Sequence, residues 1–141
     1  MDRAARLEQW YRRVYLEGDL DAVDTLFTPD LQEQGLLPGL AVTPGDLSVF
    51  AQAMMHLVDE PSFRLAKVVE SGDWLSALIE LEARRPGDGQ PIRLIGQVML
   101  RFEGDKVAEA YNSLDFLGLF LQLGLLPKDA LELGMTGQRL V

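Results

Sequence analysis

An α+β fold, helices first and an antiparallel sheet after, is what this sequence predicts, on three observations. Apolar residues recur at steps of three and four up to Val58, and at steps of two after Pro61. Turn-forming clusters cut the second part into strand-length segments. No helical period returns between those segments, so nothing is available for parallel crossovers.

The elements follow in order. Leu7, Trp10, Tyr11, Val14 and Tyr15 share one face of a first helix, with Gly18 placed to end it. Asp19 is positioned to cap a second helix that turns Leu20, Val23, Leu26 and Phe27 inward, and Thr28-Pro29-Asp30 stops it. Residues 31–42 hold Gly35, Pro38 and Gly39 and are expected to form a loop, with a short strand at its start. Thr43-Pro44-Gly45-Asp46 supplies a capping hydroxyl, a first-turn proline and an acid three residues on. Leu47, Phe50, Ala51, Met54 and Val58 then share a face.

Beyond Pro61 the strands begin. Phe63, Leu65, Lys67 and Val69 alternate with Arg64, Ala66, Val68 and Glu70, up to a turn at Ser71-Gly72-Asp73. Trp74 to Arg84, Ile92 to Phe102 and Val107 to Leu114 are the next strands, joined by turns at Pro86-Gly87-Asp88-Gly89 and Gly104-Asp105. Trp74, Leu78, Ile95 and Met99 are apolar on the nominally polar sides. Both sheet faces therefore need cover. Helices supply one, and a second copy of the chain is the expected cover for the other, giving a homodimer.

The bulk composition narrows the function classes. The chain has 141 residues, which favours a single domain spanning 1–141. Its net charge of −9 disfavours nucleic acid. It has no cysteine and one histidine, which removes disulfides, thiolate chemistry and cysteine-ligated zinc. His56 lies nine residues after Leu47, about 180° around the helix, so it is expected in solvent. No metal and no cofactor is expected. No apolar run is long enough for a membrane span and none follows the first charges as in a signal peptide, so a cytoplasmic protein is expected.

Asp115 stands where the last strand gives way to the apolar run Phe116 to Pro127. A carboxylate among hydrocarbon is costly to ionise, which suits it to acid/base work near neutral pH. Asp115 is equally well placed as the N-cap of the helix that starts at Phe116. Tyr111, four residues earlier, could donate its hydroxyl to an enolate oxygen, and Gln97, one strand over, its amide. Trp10, Tyr15, Phe27, Phe50, Met54 and Trp74 form an aromatic and methionine set suited to core and to the wall of a pocket for a small hydrophobic molecule. Arg93 and Arg101 alternate with strand core positions and are expected in solvent.

The order of these pieces resembles the SnoaL-like polyketide cyclases, a branch of the cone-shaped nuclear transport factor 2-like fold. The resemblance is carried by Trp10 to Tyr15, Glu17-Gly18-Asp19-Leu20-Asp21-Ala22-Val23-Asp24, Phe27-Thr28-Pro29-Asp30 and Gly72-Asp73. Arg101-Phe102-Glu103-Gly104-Asp105-Lys106-Val107, Asp115-Phe116-Leu117-Gly118 and Gln122-Leu123-Gly124 complete it. It implies N-terminal helices packed on a curved antiparallel sheet that encloses a pocket. It also implies cofactor-free aldol-type cyclisation or isomerisation of a polyketide-like carbonyl compound, with Asp115 as acid/base. Gln32-Glu33-Gln34-Gly35 and Gln97-Val98-Met99 stand where relatives carry histidines. A non-catalytic binding or dimerisation domain of the same fold, and epoxide-hydrolase-like water addition, remain open alternatives.

Overall fold

The computed structural model describes residues 2–31, 33–37 and 40–141. Helix α1 spans Arg3–Tyr11, capped by the Asp2 carboxylate, which accepts from the Ala5 N–H at 2.7 Å. It runs directly into a π-helical turn, Arg12–Leu16, and the chain reverses at Gly18 with φ +68°. Leu7, Trp10 and Val14 are buried, on the face the spacing predicts. The second helix is a short 3₁₀ helix, Leu20–Thr25, and Asp19 does not cap it. Its carboxylate is taken by the Arg13 guanidinium at 2.7 Å, a stronger partner than a backbone amide. Val23, Leu26 and Phe27 still turn inward, joined by Ala22, while Leu20 is only half-buried.

The segment 31–42 holds more strand than the short one expected at its start. Two strands occupy it, β1 (Glu33–Leu37) and β2 (Leu40–Val42), paired antiparallel. Gln32, Pro38 and Gly39, part of that expected loop, lie outside the described residues. Gly35, which reads as a turn residue, sits in β1 with φ +91°. A Cβ there would lie 2.2 Å from the Asn112 carbonyl oxygen, so only glycine lets the strand approach so closely.

Helix α2, Pro44–Met55, starts on a full capping box between Thr43 and Asp46. The Thr43 N–H and hydroxyl both donate to the Asp46 carboxylate and hold its pKa below the usual range. His56 follows the helix in solvent, as the wheel predicts.

The meander is present with close to the expected bounds: β3 Asp59–Ser71, β4 Trp74–Arg84, β5 Pro91–Glu103 and β6 Lys106–Leu114. One six-stranded sheet results, in the order β2-β1-β6-β5-β4-β3. It is antiparallel except where β1 joins β6 in parallel, through Glu33–Ala110 and Gln34–Tyr111. An irregularity between Leu65 and Lys67 breaks the simple alternation expected for β3. Lys67 and Val69 therefore pair with Leu78 and Ser76 on the outer face, away from Phe63 and Leu65.

Inner-face residues Leu75, Ala77, Ile79, Val98, Leu100 and Ala110 form one core with α1, the 3₁₀ helix and α2. Helices α3 (Phe116–Gln122) and α4 (Ala130–Met135) close the chain. Gln122 ties α3 to β5: its Oε1 accepts from the Arg93 N–H and its Nε2 donates to the Arg93 carbonyl, both at 2.8 Å. Among the described residues, no helix is long and apolar enough to cross a membrane.

Candidate active site

A cavity lies between the helical layer and the inner face of the sheet. Trp10, Tyr15, Phe27, Phe50 and Met54 line it, whereas Trp74 of the same set does not. Tyr11, Phe63 and aliphatic residues of the sheet complete most of the wall. The volume is about 60 Å³, on the scale on which a single water needs roughly 10–15 Å³. The space suits a small ring better than an extended chain.

Two polar side chains from neighbouring strands interrupt this wall, Glu33 from β1 and Asn112 from β6. Glu33 is 1% exposed. Its Oε1 accepts from the Leu36 N–H at 2.8 Å, while its Oε2 is buried with no hydrogen-bond partner among the described residues. Burial pushes the carboxyl pKa up; the Leu36 amide and the neighbouring Asn112 pull more weakly the other way. The result is an acid anchored by one oxygen and free to exchange a proton at the other.

Tyr11 and Tyr15 come from the junction of α1 with the π-helical turn, four residues apart and both lining the cavity. Burial raises both phenol pKa values far above the ordinary value of 10, and the nearby Glu33 charge raises them further. Both therefore stay protonated, and neither hydroxyl has a hydrogen-bond partner among the described residues. Two free phenols and one poised carboxyl inside an apolar wall can move a proton and steady a developing oxyanion.

The other predicted site residues lie elsewhere. Asp115 is exposed, and its Oδ1 accepts from the Gly118 N–H at 2.9 Å, so it caps α3. The cap needs glycine at 118, where a Cβ would lie 2.2 Å from Oδ2. Gln97 pairs with Leu78 and Ser113 on the outer sheet face, because the cavity side of β5 belongs to Gly96 and Val98. Tyr111 also points outward, donating to Glu109 at 2.6 Å and stacking on Trp74 at 6.5 Å. Alternation puts Asn112, not Tyr111, on the cavity side. Arg93 and Arg101 are on the outer face too, but not free: Arg93 binds Glu80 at 2.9 Å and Arg101 binds Glu109 at 3.1 Å.

Sequence reasoning missed Glu33 because a short strand at the start of an expected loop gives no sign of what it pairs with or which way its side chains turn. The available signal was a lone acid between Leu31 and Leu36-Leu37, in a stretch with no other reason to carry apolar residues. Among the described residues no group of three or more histidines, cysteines or acids is placed to hold a metal ion.

Residues 7–110 match the model of the SnoaL-like domain. No protein of curated function matches the chain in sequence. Among solved structures, a candidate polyketide cyclase from Acidithiobacillus ferrooxidans is 21% identical with a TM-score of 0.66, covering 84% of this chain and 92% of its own. IdmH, a candidate polyketide cyclase from Streptomyces antibioticus, is 16% identical with a TM-score of 0.72, covering 87% of this chain and 99% of its own. A protein of ketosteroid isomerase-like fold from Catenulispora acidiphila, solved with trimethylamine, is 17% identical with a TM-score of 0.69, covering 86% of this chain and 93% of its own. At these identities the likeness speaks for the shared fold.

Proposed function

The chain belongs to the SnoaL-like domain family, and on that premise we propose that it performs cofactor-free acid/base chemistry on a small hydrophobic carbonyl compound, with Glu33 rather than Asp115 as the proton carrier. One observation carries the reading: a buried carboxyl fixed through Oε1 and unpartnered at Oε2 among the described residues, in the wall of an apolar cavity. In its ionised form Oε2 removes a proton from the carbon beside the carbonyl. The electron pair moves onto the carbonyl oxygen, which the Tyr11 and Tyr15 hydroxyls stabilise by donation. The proton returns from Glu33 to a different carbon in an isomerisation. In an aldol closure, the enolate carbon bonds a second carbonyl and the proton goes to the new alkoxide. A raised pKa brings the carboxyl closer to the proton affinity this work needs at neutral pH.

Exchange of the α-protons of cyclohexanone in deuterium oxide, followed by proton NMR, tests the reading. Wild-type protein should accelerate exchange, Glu33→Gln should lose the acceleration, and Asp115→Ala should keep it. Equal rates for wild type and Glu33→Gln would leave the non-catalytic binding domain as the better account. Water addition of the epoxide-hydrolase type has less support, since the cavity wall among the described residues carries one carboxylate and no guanidinium.

We also propose that the protein is a homodimer through the outer sheet face. Ile95, Met99 and Tyr111 are 45%, 49% and 40% exposed there, beside Trp74 and Leu78. Contiguous apolar surface of this kind marks an interface.

A further inference from the structure

The cavity has a charge character that its proposed chemistry does not require. Among its described wall residues, Glu33 is the single carboxylate and none is Lys, Arg or His. The titratable groups that feel the Glu33 charge are the Tyr11 and Tyr15 phenols on α1 and its π-helical turn, and both are neutral. Around them the aromatic rings meet at angles. Trp10 stands edge-on to Tyr11, Tyr15 and Phe27, at 5.2, 5.9 and 5.4 Å between centroids and 71–79° between planes. Tyr11 stacks on Phe63 at 5.5 Å and 22°, and Tyr15 packs on Phe63 at 5.2 Å and 54°. Trp10, near-perpendicular to its neighbours, and the Tyr11–Phe63 stack together present ring surface in more than one direction.

We propose that this cavity is a receptor for a small organic cation of the alkylammonium class, with the Glu33 Oε2 as counter-ion and the rings of Trp10, Tyr11, Tyr15 and Phe63 as walls. The proposal takes the cavity and the carboxyl from the preceding reading, but not its proton transfer. An unpartnered carboxylate oxygen and electron-rich ring faces each attract a positive charge, and desolvation strengthens both attractions. The cavity size admits a cation of a few heavy atoms. The net charge of −9 favours the approach of cations and disfavours that of anions. A carboxylate or phosphate ligand would meet the Glu33 charge inside and no cation to offset it. While a cation is seated, Glu33 is held ionised and the volume a carbonyl compound needs is filled, so the ligand would act as a competitive brake on the chemistry.

Calorimetric titration with tetramethylammonium chloride, and with tert-butanol as a neutral body of the same heavy-atom count, tests the proposal. Tetramethylammonium should bind at least about tenfold more tightly than tert-butanol. Binding should release protons from Glu33, so the measured heat should change with the ionisation enthalpy of the buffer. Glu33→Gln should weaken tetramethylammonium at least about tenfold while leaving tert-butanol unchanged, the latter showing that the cavity is intact. Equal affinities for the two probes, no binding of the cation, or cation binding untouched by Glu33→Gln would overturn the proposal. The cyclohexanone exchange reads the catalytic reading separately, so either can fail alone.

Discussion

Glu33 gives the protein a pH dependence whose sign is fixed by its burial. In the folded chain the carboxyl keeps its proton to higher pH than in the unfolded chain. Between the usual carboxylate range and that raised value, the folded state carries the extra proton. Stability therefore declines as pH rises through this window and levels off above it. Glu33→Gln has no proton to lose, so its melting temperature should exceed that of wild type near neutral pH by a few degrees, and the gap should close in acid. Thermal melts from about pH 4 to about pH 8 read this directly; a gap independent of pH would mean that the carboxyl does not titrate in a buried setting. Such a trade, stability given up for a poised acid, is common at functional sites. Asp115 offers the contrast. As a helix cap it should cost about 1 kcal/mol on Asp115→Ala, seen in denaturant melts, with ligand binding in the cavity unaltered. The sequence shows that Asp115 borders an apolar helix but not which way its carboxylate turns. That depends on Gly118, whose missing side chain leaves room for the cap.

At the scale of elements, legibility followed locality. Strands β4 to β6 were readable to within a residue or two, because each hairpin turn lies beside the strands it joins. Helix α2 was readable for the same reason, since Thr43 and Asp46 cap it from three residues apart. Strand β1 was readable only as a short strand beside a loop, because its partner β6 lies 77 residues away (Glu33 to Ala110) and nothing nearby announces the pairing. The same remoteness hid the site: Glu33 becomes a cavity acid only when β1 docks on β6. Gly35 is the hinge of that docking. Gly35→Ala combines an unfavourable positive φ with a collision against the Asn112 carbonyl. It should cost about 1–3 kcal/mol and should lose proton exchange or cation binding along with the β1–β6 pairing. Amide exchange at Gln34 and Leu36, faster in the variant than in wild type, checks the structural half of that statement.

At the scale of the whole molecule, the two sheet faces have different work. The inner one carries core and cavity. The outer one mixes apolar side chains with ion pairs, of which Glu80 clasped by Arg64 at 2.6 Å and Arg93 at 2.9 Å is the most enclosed. Both arginines hold the Glu80 pKa below the usual range. Sequence alternation already marked this face as too apolar for solvent at Trp74, Leu78, Ile95 and Met99, yet it did not reveal that Tyr111 and Gln97 belong to it. If the face joins two copies, Ile95→Asp should place an unpaired charge in the contact and shift the protein from dimer to monomer in sedimentation analysis while leaving the cavity unchanged. A wild-type protein that sediments as a monomer at micromolar concentration would end that proposal.

The parallel seam between β1 and β6 also constrains how the chain is made. On a ribosome, the N-terminal helices and the first hairpin emerge long before the strand that will receive them, and they must wait with an apolar edge uncovered. The closure from Glu33 to Ala110 spans just over half of the polypeptide and is the longest among the described strand pairings, so it carries the largest loop-closure entropy cost. A nascent chain halted before Lys106 would thus hold Glu33 without the strand that brings it to the cavity wall.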